Sequence, residues 1–201
     1  MKTIQSILLT VIFTAVTLQL NAQKNYTLDT NSTFEVAGTS TVHDWVMKST
    51  EGSGIANLTV KDSKIGSINS LSISLLAESL KSYKTSMDNV AYEALDTQTY
   101  KYIEYVLKSA ERINDTTWNL NGVYTIAGVS KEYQTQVKTT VTKGTVTLQG
   151  SNQITFGDFE MTPPKAALGV VKAGKDLTLI FNLVLSDADS NSKIQKSLSN
   201  L

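Results

Sequence analysis

The residue in this chain best suited to acid–base chemistry is its single histidine, His43, which is followed directly by Asp44. A histidine could activate a serine brought close in space, and serine is plentiful here, so a hydrolase that uses His43 stays open as an alternative. The sequence has no Gly-x-Ser-x-Gly segment, and it has no cysteine or second histidine for a zinc site. We therefore predict that His43 is a structural hydrogen-bonding group and that the protein is not an enzyme.

Two other segments approach ligand-binding motifs. Residues 169–176, GVVKAGKD, nearly fit the phosphate-binding loop, but Asp176 stands where Ser or Thr would hold Mg²⁺ and a strand follows instead of a helix. We interpret the segment as a Gly-Lys turn before that strand. The segment 187–201 opens with DADSNS like a calcium loop, but Ser192 and Leu198 replace the required glycine and glutamate. We interpret it as a polar tail, and no metal or cofactor is predicted.

The start of the chain and its composition indicate where the protein acts. Residues 1–23 combine Lys2, an apolar run and a small-residue end, which predicts a cleaved signal peptide and a periplasmic or secreted protein. No later apolar run is long enough to span a membrane, so no stable membrane insertion is expected. The 18 basic and 18 acidic residues give a net charge of zero, which disfavours nucleic acid as a partner. Without cysteine, stability must come from an apolar core.

The rest of the chain is dominated by alternating apolar and polar residues. The last such run, in residues 177–186, follows the only two prolines, Pro163 and Pro164, which interrupt strand pairing before it. Its apolar face consists of Leu177, Leu179, Phe181, Leu183 and Leu185. Further runs with turn signals between them predict an all-β antiparallel sandwich or barrel. We predict one strand over residues 34–47 and a turn at residues 51–54.

One segment has a helical period instead. Met87, Val90, Ala91 and Leu95 lie on one face of a helix that we place roughly at residues 86–95, with Ser86 and Asp88 as capping residues. A single helix in a β protein of this size could be a lid or plug over a barrel end, or an ordinary packing helix. The next segment, YKYIEYVLKSAERI, fits a helix or a strand, and we interpret it as a strand.

Several segments resemble the YceI-like family of lipid- and polyisoprenoid-binding domains. At the C-terminal end these are DF, PP, Gly169 and VKAGKDLTLIFNL, and earlier SMDNVAYEALDTQTYKYIEYVL, WNLNGVYTIAGVSKEYQTQV and STVHDWVM. Lys101, Tyr105, Tyr124 and Ser130 depart from the family pattern. The resemblance implies that residues 24–186 form an eight-stranded antiparallel lipocalin-like β-barrel whose interior holds a long isoprenoid or fatty chain. It also suggests a homodimer.

An apolar tail could be held without a charged anchor, because about ten buried methylenes supply roughly 8 kcal/mol before the cost of association. The ligand-lining residues that we predict are large apolar side chains on alternating faces, each of which could instead be ordinary core. They are Phe34, Val36, Leu71, Ile73, Met87, Leu95, Trp118, Leu120, Tyr124, Phe159, Phe181 and Leu183. The leading hypothesis is a carrier for an isoprenoid, quinone or fatty amphiphile. The alternative is a structural or stress-related interaction module with a side-chain-filled barrel.

Overall fold

The structure is a computed structural model that describes residues 23–188. The predicted signal peptide lies outside the described residues except for Gln23, as does the predicted tail after residue 188. Within the described part, β-strands account for most of the chain and one α-helix interrupts them.

The strands are numbered in chain order. They are β1 (Gln23–Leu28), β2 (Thr33–Ser40), β3 (Trp45–Ser49), β4 (Gly52–Lys61), β5 (Lys64–Leu76), β6 (Tyr102–Asn114), β7 (Thr117–Ile126), β8 (Val129–Thr142), β9 (Thr145–Thr155), β10 (Lys165–Ala166) and β11 (Val171–Asp187). The helix α1 (Thr85–Leu95) lies between β5 and β6, and short 3-10 helices span Ala77–Ser79, Phe156–Phe159 and Ala167–Gly169.

These strands form a closed antiparallel barrel. β1 and β2 lie in line along one edge of β11, with Leu28 paired to Leu185 and Thr33 paired to Asn182. β3 and β4 follow β2 and β1 in the same way, and from β4 to β9 each strand pairs with the next. β11 pairs with β9 and completes the ring. Counting each in-line pair as one strand gives the eight-stranded barrel that the sequence predicts.

A single side chain bridges the gap between β1 and β2. Ser32 is fully buried, and its hydroxyl accepts from the backbone N–H of Val184 (3.0 Å) and donates to the carbonyl of the same residue (3.3 Å). A buried backbone group without a partner would cost about 1–3 kcal/mol. The hydroxyl of Ser32 therefore satisfies the N–H of Val184 where the barrel closes, while the carbonyl of Val184 also accepts from the backbone N–H of Asp29 at 2.8 Å.

The two ends of the barrel have different connections. At one end, which we call the base, tight turns at residues 62–63, 115–116 and 143–144 join consecutive strands. At the other end, the mouth, lie the hairpin tip 41–44, the helical segment 77–101 and the connection 156–170, together with one tight turn at Ala127 and Gly128. Because side chains alternate along each strand, half of them point into the barrel between these ends.

The base half of the interior is filled by side chains. We use the name base core for the buried apolar residues that lie near the tight turns. They are Tyr26, Leu58, Ile65, Ile68, Trp118, Val137, Val146, Leu148 and Leu185. Leu58, Val146, Leu148 and Leu185 have no measurable exposure. Such close packing is what a cysteine-free chain needs for stability.

Two expectations about the first strands are wrong. Residues 34–47 are not one strand, because the chain reverses at residues 41–44 and β3 pairs back onto β2. Val42 consequently lies in the turn with its side chain exposed instead of on the apolar face. Gly52 and Gly54 belong to β4 and not to a turn, since glycine is needed there beneath the side chains of Phe34 and Ile73.

The remaining predictions agree more closely. The helix begins at Thr85 and ends at Leu95 as expected, but Lys84 is its N-cap and makes no side-chain cap bond. Asp88 instead accepts from the backbone N–H of Ser82 at 2.7 Å. The segment after the helix is strand β6. The Gly-Lys pair before Asp176 lies inside β11 at an irregularity of its pairing with β2, and so it is not a turn.

Candidate ligand-binding cavity

The mouth half of the barrel encloses a cavity of about 670 Å³. This volume lies within the roughly 300–1,000 Å³ typical of small-molecule sites. Ten of the twelve predicted lining residues border it: Phe34, Val36, Leu71, Ile73, Met87, Leu95, Leu120, Tyr124, Phe181 and Leu183. They come from strands across the barrel and from α1, which is why they are scattered in sequence.

The other two predicted residues do not border the cavity. Trp118 belongs to the base core, because β7 enters the barrel at the base and its first inward side chains reach the filled half. Phe159 lies in the 3-10 helix at the start of the connection 156–170, where its ring stacks on Tyr133 with centroids 6.3 Å apart. Alternation gives the face of a strand but not the depth along the barrel, so the sequence could not separate Trp118 from the rest, and Phe159 is not on a strand.

The helix α1 forms one wall of the cavity. Its apolar stripe, which consists of Met87, Val90, Ala91, Ala94 and Leu95, borders the cavity over the length of the helix. This contact favours the lid interpretation over a plain packing helix. Residues that the prediction omitted also border it, among them Trp45, Leu177 and Leu179. The two leucines were already recognised on the apolar face of β11, so the signal was available.

Polar contacts hold the helix in place beside the mouth. The hydroxyl of Tyr92 lies 2.8 Å from the carbonyl oxygens of Glu78 and Leu80. Thr97, which is buried, donates to the Glu78 carboxylate at 2.7 Å. Asp88 holds the segment before the helix through the backbone of Ser82. The lid is therefore fixed before and after its apolar stripe.

The cavity lining carries a small polar cluster in an apolar setting. Tyr124 and Thr135 border the cavity, and both hydroxyls lie against the buried amide of Asn152. The amide oxygen of Asn152 faces the two hydroxyls and accepts a hydrogen bond from each of them. The amide nitrogen donates to the carbonyls of Gln134 and Ser151 at 3.3 and 3.2 Å. Burial raises the pKa of Tyr124, and the hydrogen bonds oppose that shift. The cluster is thus satisfied and neutral.

Tyr105 lies beside this cluster, with its ring centroid 4.8 Å from that of Tyr124. Its hydroxyl is buried without a hydrogen-bond partner among residues 23–188 and lies over Gly122, where even a Cβ atom would come within 2.3 Å of the oxygen. Burial, and to a smaller extent the neighbouring Tyr124, raises the pKa of Tyr105. A glycine in β7 is therefore needed to accommodate the ring.

His43 lies at the mouth, where it borders the cavity from the hairpin tip. Its Nδ1 is 2.8 Å from the backbone carbonyl of Asp44 and therefore donates to it. The hydroxyl of Ser40 donates to the carbonyl of His43 and accepts from its N–H at 3.2 Å. The contacts of His43 with Ser40 and Asp44 thus involve backbone atoms of His43 and Asp44. This arrangement stabilises the turn and is not that of a catalytic triad.

No group of three or more His, Cys, Asp or Glu side chains within residues 23–188 is placed to hold a metal ion. In the same part of the chain, no helix is long and apolar enough to cross a membrane.

A closed eight-stranded antiparallel barrel with an apolar cavity at one end is the architecture of a lipocalin-like β-barrel. The model of the YceI-like domain matches residues 15–185, so the chain belongs to that family. No curated protein matches the sequence.

Solved structures share the fold. BcnA of Burkholderia cenocepacia superposes with a TM-score of 0.66 at 14% identity, covering 78% of this chain and 98% of that one. A polyisoprenoid binding domain from Saccharophagus degradans gives 0.61 at 11% identity, with coverage of 81% and 98%. A YceI protein of Campylobacter jejuni gives 0.56 at 19% identity, with coverage of 67% and 80%. At sequence identities this low, the similarity to these three structures shows a shared fold alone.

Proposed function

We propose that this protein is a periplasmic or secreted carrier that holds one long-chain isoprenoid, quinone or fatty amphiphile in the mouth half of its barrel and performs no chemistry on it. The observation that carries the proposal is the apolar cavity of about 670 Å³. A module with a side-chain-filled barrel would show the packing of the base core along its whole length. The polyisoprenoid-binding domain from Saccharophagus degradans supports an isoprenoid as the ligand class.

The lining suggests how the ligand lies. The lining is mostly apolar, and the polar cluster around Tyr124 satisfies its own hydrogen bonds, so this cluster offers little to a charged headgroup. His43, Lys84 and Ser86 border the cavity at the mouth. We therefore expect the hydrocarbon chain of the ligand to enter the cavity first and its headgroup to stay near these residues. Each buried methylene contributes about 0.8 kcal/mol, so affinity should rise with chain length until the cavity is full.

The experiment is native mass spectrometry of the purified protein, followed by organic extraction and by titration with geranylgeraniol and oleic acid. We expect one bound molecule per chain. Leu120→Arg, which places a charge in the wall, should abolish binding. Because that variant could fail to fold, Ala91→Trp provides a second block from the helix, and Asn89→Trp on the exposed face of α1 is its matched control.

The outcomes separate the hypotheses. Loss of binding in Ala91→Trp with normal binding in Asn89→Trp supports the carrier. An apo mass with no uptake of either compound by the wild-type protein would refute it and favour the interaction module. Unchanged binding in folded Leu120→Arg and Ala91→Trp would place the ligand outside this cavity.

A further inference from the structure

The mouth of the barrel is surrounded by exposed apolar side chains. Of the five most exposed large apolar residues in the described chain, four lie there: Leu168, which is fully exposed, Val170 (74%), Tyr83 (73%) and Val42 (64%). The tight turns at the base consist of Asp62-Ser63, Asp115-Thr116 and Lys143-Gly144, which are polar or small. Apolar tips therefore mark one end of the barrel and polar turns the other, although both ends are loops.

The loop that presents Leu168 is unusual for its residue types. Ala167, Leu168 and Gly169 are consecutive in the left-handed region, with φ of 50°, 55° and 88°. Glycine adopts this conformation readily, whereas a leucine there is uncommon and costs free energy. The side chain of Leu168 contributes nothing to the core in return. Core packing therefore does not account for a leucine at this position.

The apolar tips are held together at the edge of the cavity. The backbone N–H of Thr41 donates to the carbonyl of Lys172 at 3.0 Å, and the Thr41 hydroxyl accepts from the N–H of Lys172 at 3.1 Å. The same hydroxyl donates to the carbonyl of Val170 at 3.3 Å. The hairpin that bears Val42 and the loop that bears Leu168 thus form one surface. Tyr83 borders the cavity from the helical segment.

Lysines lie among these tips. The rim, which we define as residues 41–44, 81–86 and 162–172, contains Lys81, Lys84, Lys165 and Lys172 and one acid, Asp44. The neighbouring parts of the mouth connections are acidic, with Glu78, Asp88, Glu93, Asp96, Asp158 and Glu160, and the charges of Asp88 and Glu78 act on Lys81. Lys165 and Lys172 are cross-strand partners between β10 and β11, so two like charges lie side by side. The ion pairs found among the described residues involve Lys24, Lys48, Lys64 and Arg112, none of which is in the rim. Paired lysines of one sign favour an anionic surface outside the protein.

We propose that the rim docks on the surface of an anionic phospholipid bilayer, with Leu168 and Val170 entering the headgroup layer and the lysines contacting lipid phosphates. This inference extends the proposed carrier function, because the rim encloses the opening through which a long-chain ligand must pass. Bilayers hold such ligands, and apolar tips with basic flanks are the composition that binds membrane surfaces. Docking mouth-first would let the chain move between bilayer and cavity without crossing water.

The test is flotation of the purified protein with vesicles of phosphatidylglycerol and phosphatidylethanolamine, compared with vesicles of phosphatidylcholine. We expect binding to the anionic vesicles that falls at least ~10-fold in about 0.5 M salt. The double variant Leu168→Asp/Val170→Asp should lose flotation. Its matched control is Ile55→Asp, because Ile55 is 65% exposed on the wall of the barrel away from the mouth.

A charge series tests the second half of the proposal. Lys165→Glu/Lys172→Glu should lower the affinity for anionic vesicles more than ~10-fold, since each lysine near an anionic surface contributes to binding. Lys108→Glu/Lys138→Glu makes the same charge change on exposed wall positions and should act more weakly. Far-ultraviolet circular dichroism checks that every variant is folded.

Uptake of geranylgeraniol from solution separates docking from carriage. If the rim variants bind geranylgeraniol normally but do not float, docking is supported. If the wild-type protein floats but takes up no geranylgeraniol, docking is supported and the carrier function is refuted. Failure of the wild-type protein to float, equal flotation with both vesicle types, or equal loss in the rim and control variants overturns the proposal. Self-association that disappears in the rim variants, without flotation of the wild type, would assign the rim to a second copy of the chain and overturn it as well.

Discussion

The base and the mouth of this barrel are built from the same strands, yet they are filled in opposite ways. At the base, tight polar turns close over a dry core in which Leu58, Val146, Leu148 and Leu185 have no exposure. At the mouth, long connections and α1 surround a cavity of about 670 Å³. An eight-stranded barrel is just wide enough for either a packed core or one narrow ligand. This barrel does both, so stability and binding occupy different depths along its axis.

The largest difference should appear when leucines at the two depths are truncated. Leu148→Ala in the base core should lower the free energy of unfolding by about 2–5 kcal/mol, because it leaves a new void in a packed region. Leu179→Ala, on a wall that already borders a cavity, should cost less, since its neighbours lose fewer contacts. Urea unfolding of both variants measures the difference. Equal losses would show that the mouth half is packed as tightly as the base.

Alkaline titration tests how dry the mouth half is around Tyr105 and Tyr124, in contrast to the base core. Burial raises the pKa values of Tyr105 and Tyr124 in the folded state above the unfolded value of about 10. Their contribution to stability is therefore present below pH ~10 and is lost as the pH rises above it, by at most roughly 1.4 kcal/mol per pH unit for one tyrosine.

Tyr105→Phe removes one of these groups, so the fall in stability between pH ~10 and pH ~11 should be smaller by about 1 kcal/mol. Urea unfolding at each pH gives the slope. An identical slope in the wild type and in Tyr105→Phe would mean that water reaches the Tyr105 hydroxyl.

The smallest expected effect is spectroscopic and compares the two tryptophans. Trp45 borders the cavity, whereas Trp118 belongs to the base core. In Trp118→Phe, which retains Trp45, added geranylgeraniol should change the intensity or wavelength of emission. In Trp45→Phe, which retains Trp118, emission should stay nearly constant. A response from Trp118 alone would move the ligand to the base.

The sequence was sufficient for the strands, the helix and most of the cavity wall. Period-two alternation identified the inward face of β11, and the 3.6-residue period identified the stripe of α1. The sequence was insufficient where the depth of a residue along the barrel decides whether it borders the cavity, and where a chain reversal decides the end of a strand. Trp118 and Leu120 lie on the same face of β7, but only Leu120 borders the cavity. The hairpin at residues 41–44 was missed because the alternation continues through it, and the Gly-Lys pair before Asp176 was taken for a turn when it marks an irregularity within β11.

The rim could not be recognised as one surface from the sequence at all. Val42, Tyr83 and Leu168 are far apart in the chain, and each alone would be an unremarkable exposed residue. Only the closure of the barrel, and the hydrogen bonds between Thr41 and the strand at Lys172, place them around one opening.

The bridge formed by Ser32 also bears on the order in which the chain can fold. Its partner Val184 lies 152 residues further along, so the contact closes nearly the longest loop available to the described chain. In contrast, each strand pairing from β4 to β9 joins strands that are consecutive in sequence and can form as the chain grows. Contacts of such long sequence separation form slowly. Until β11 is present, β9 at one side and β1 and β2 at the other keep open edges, and β11 removes these edges at once.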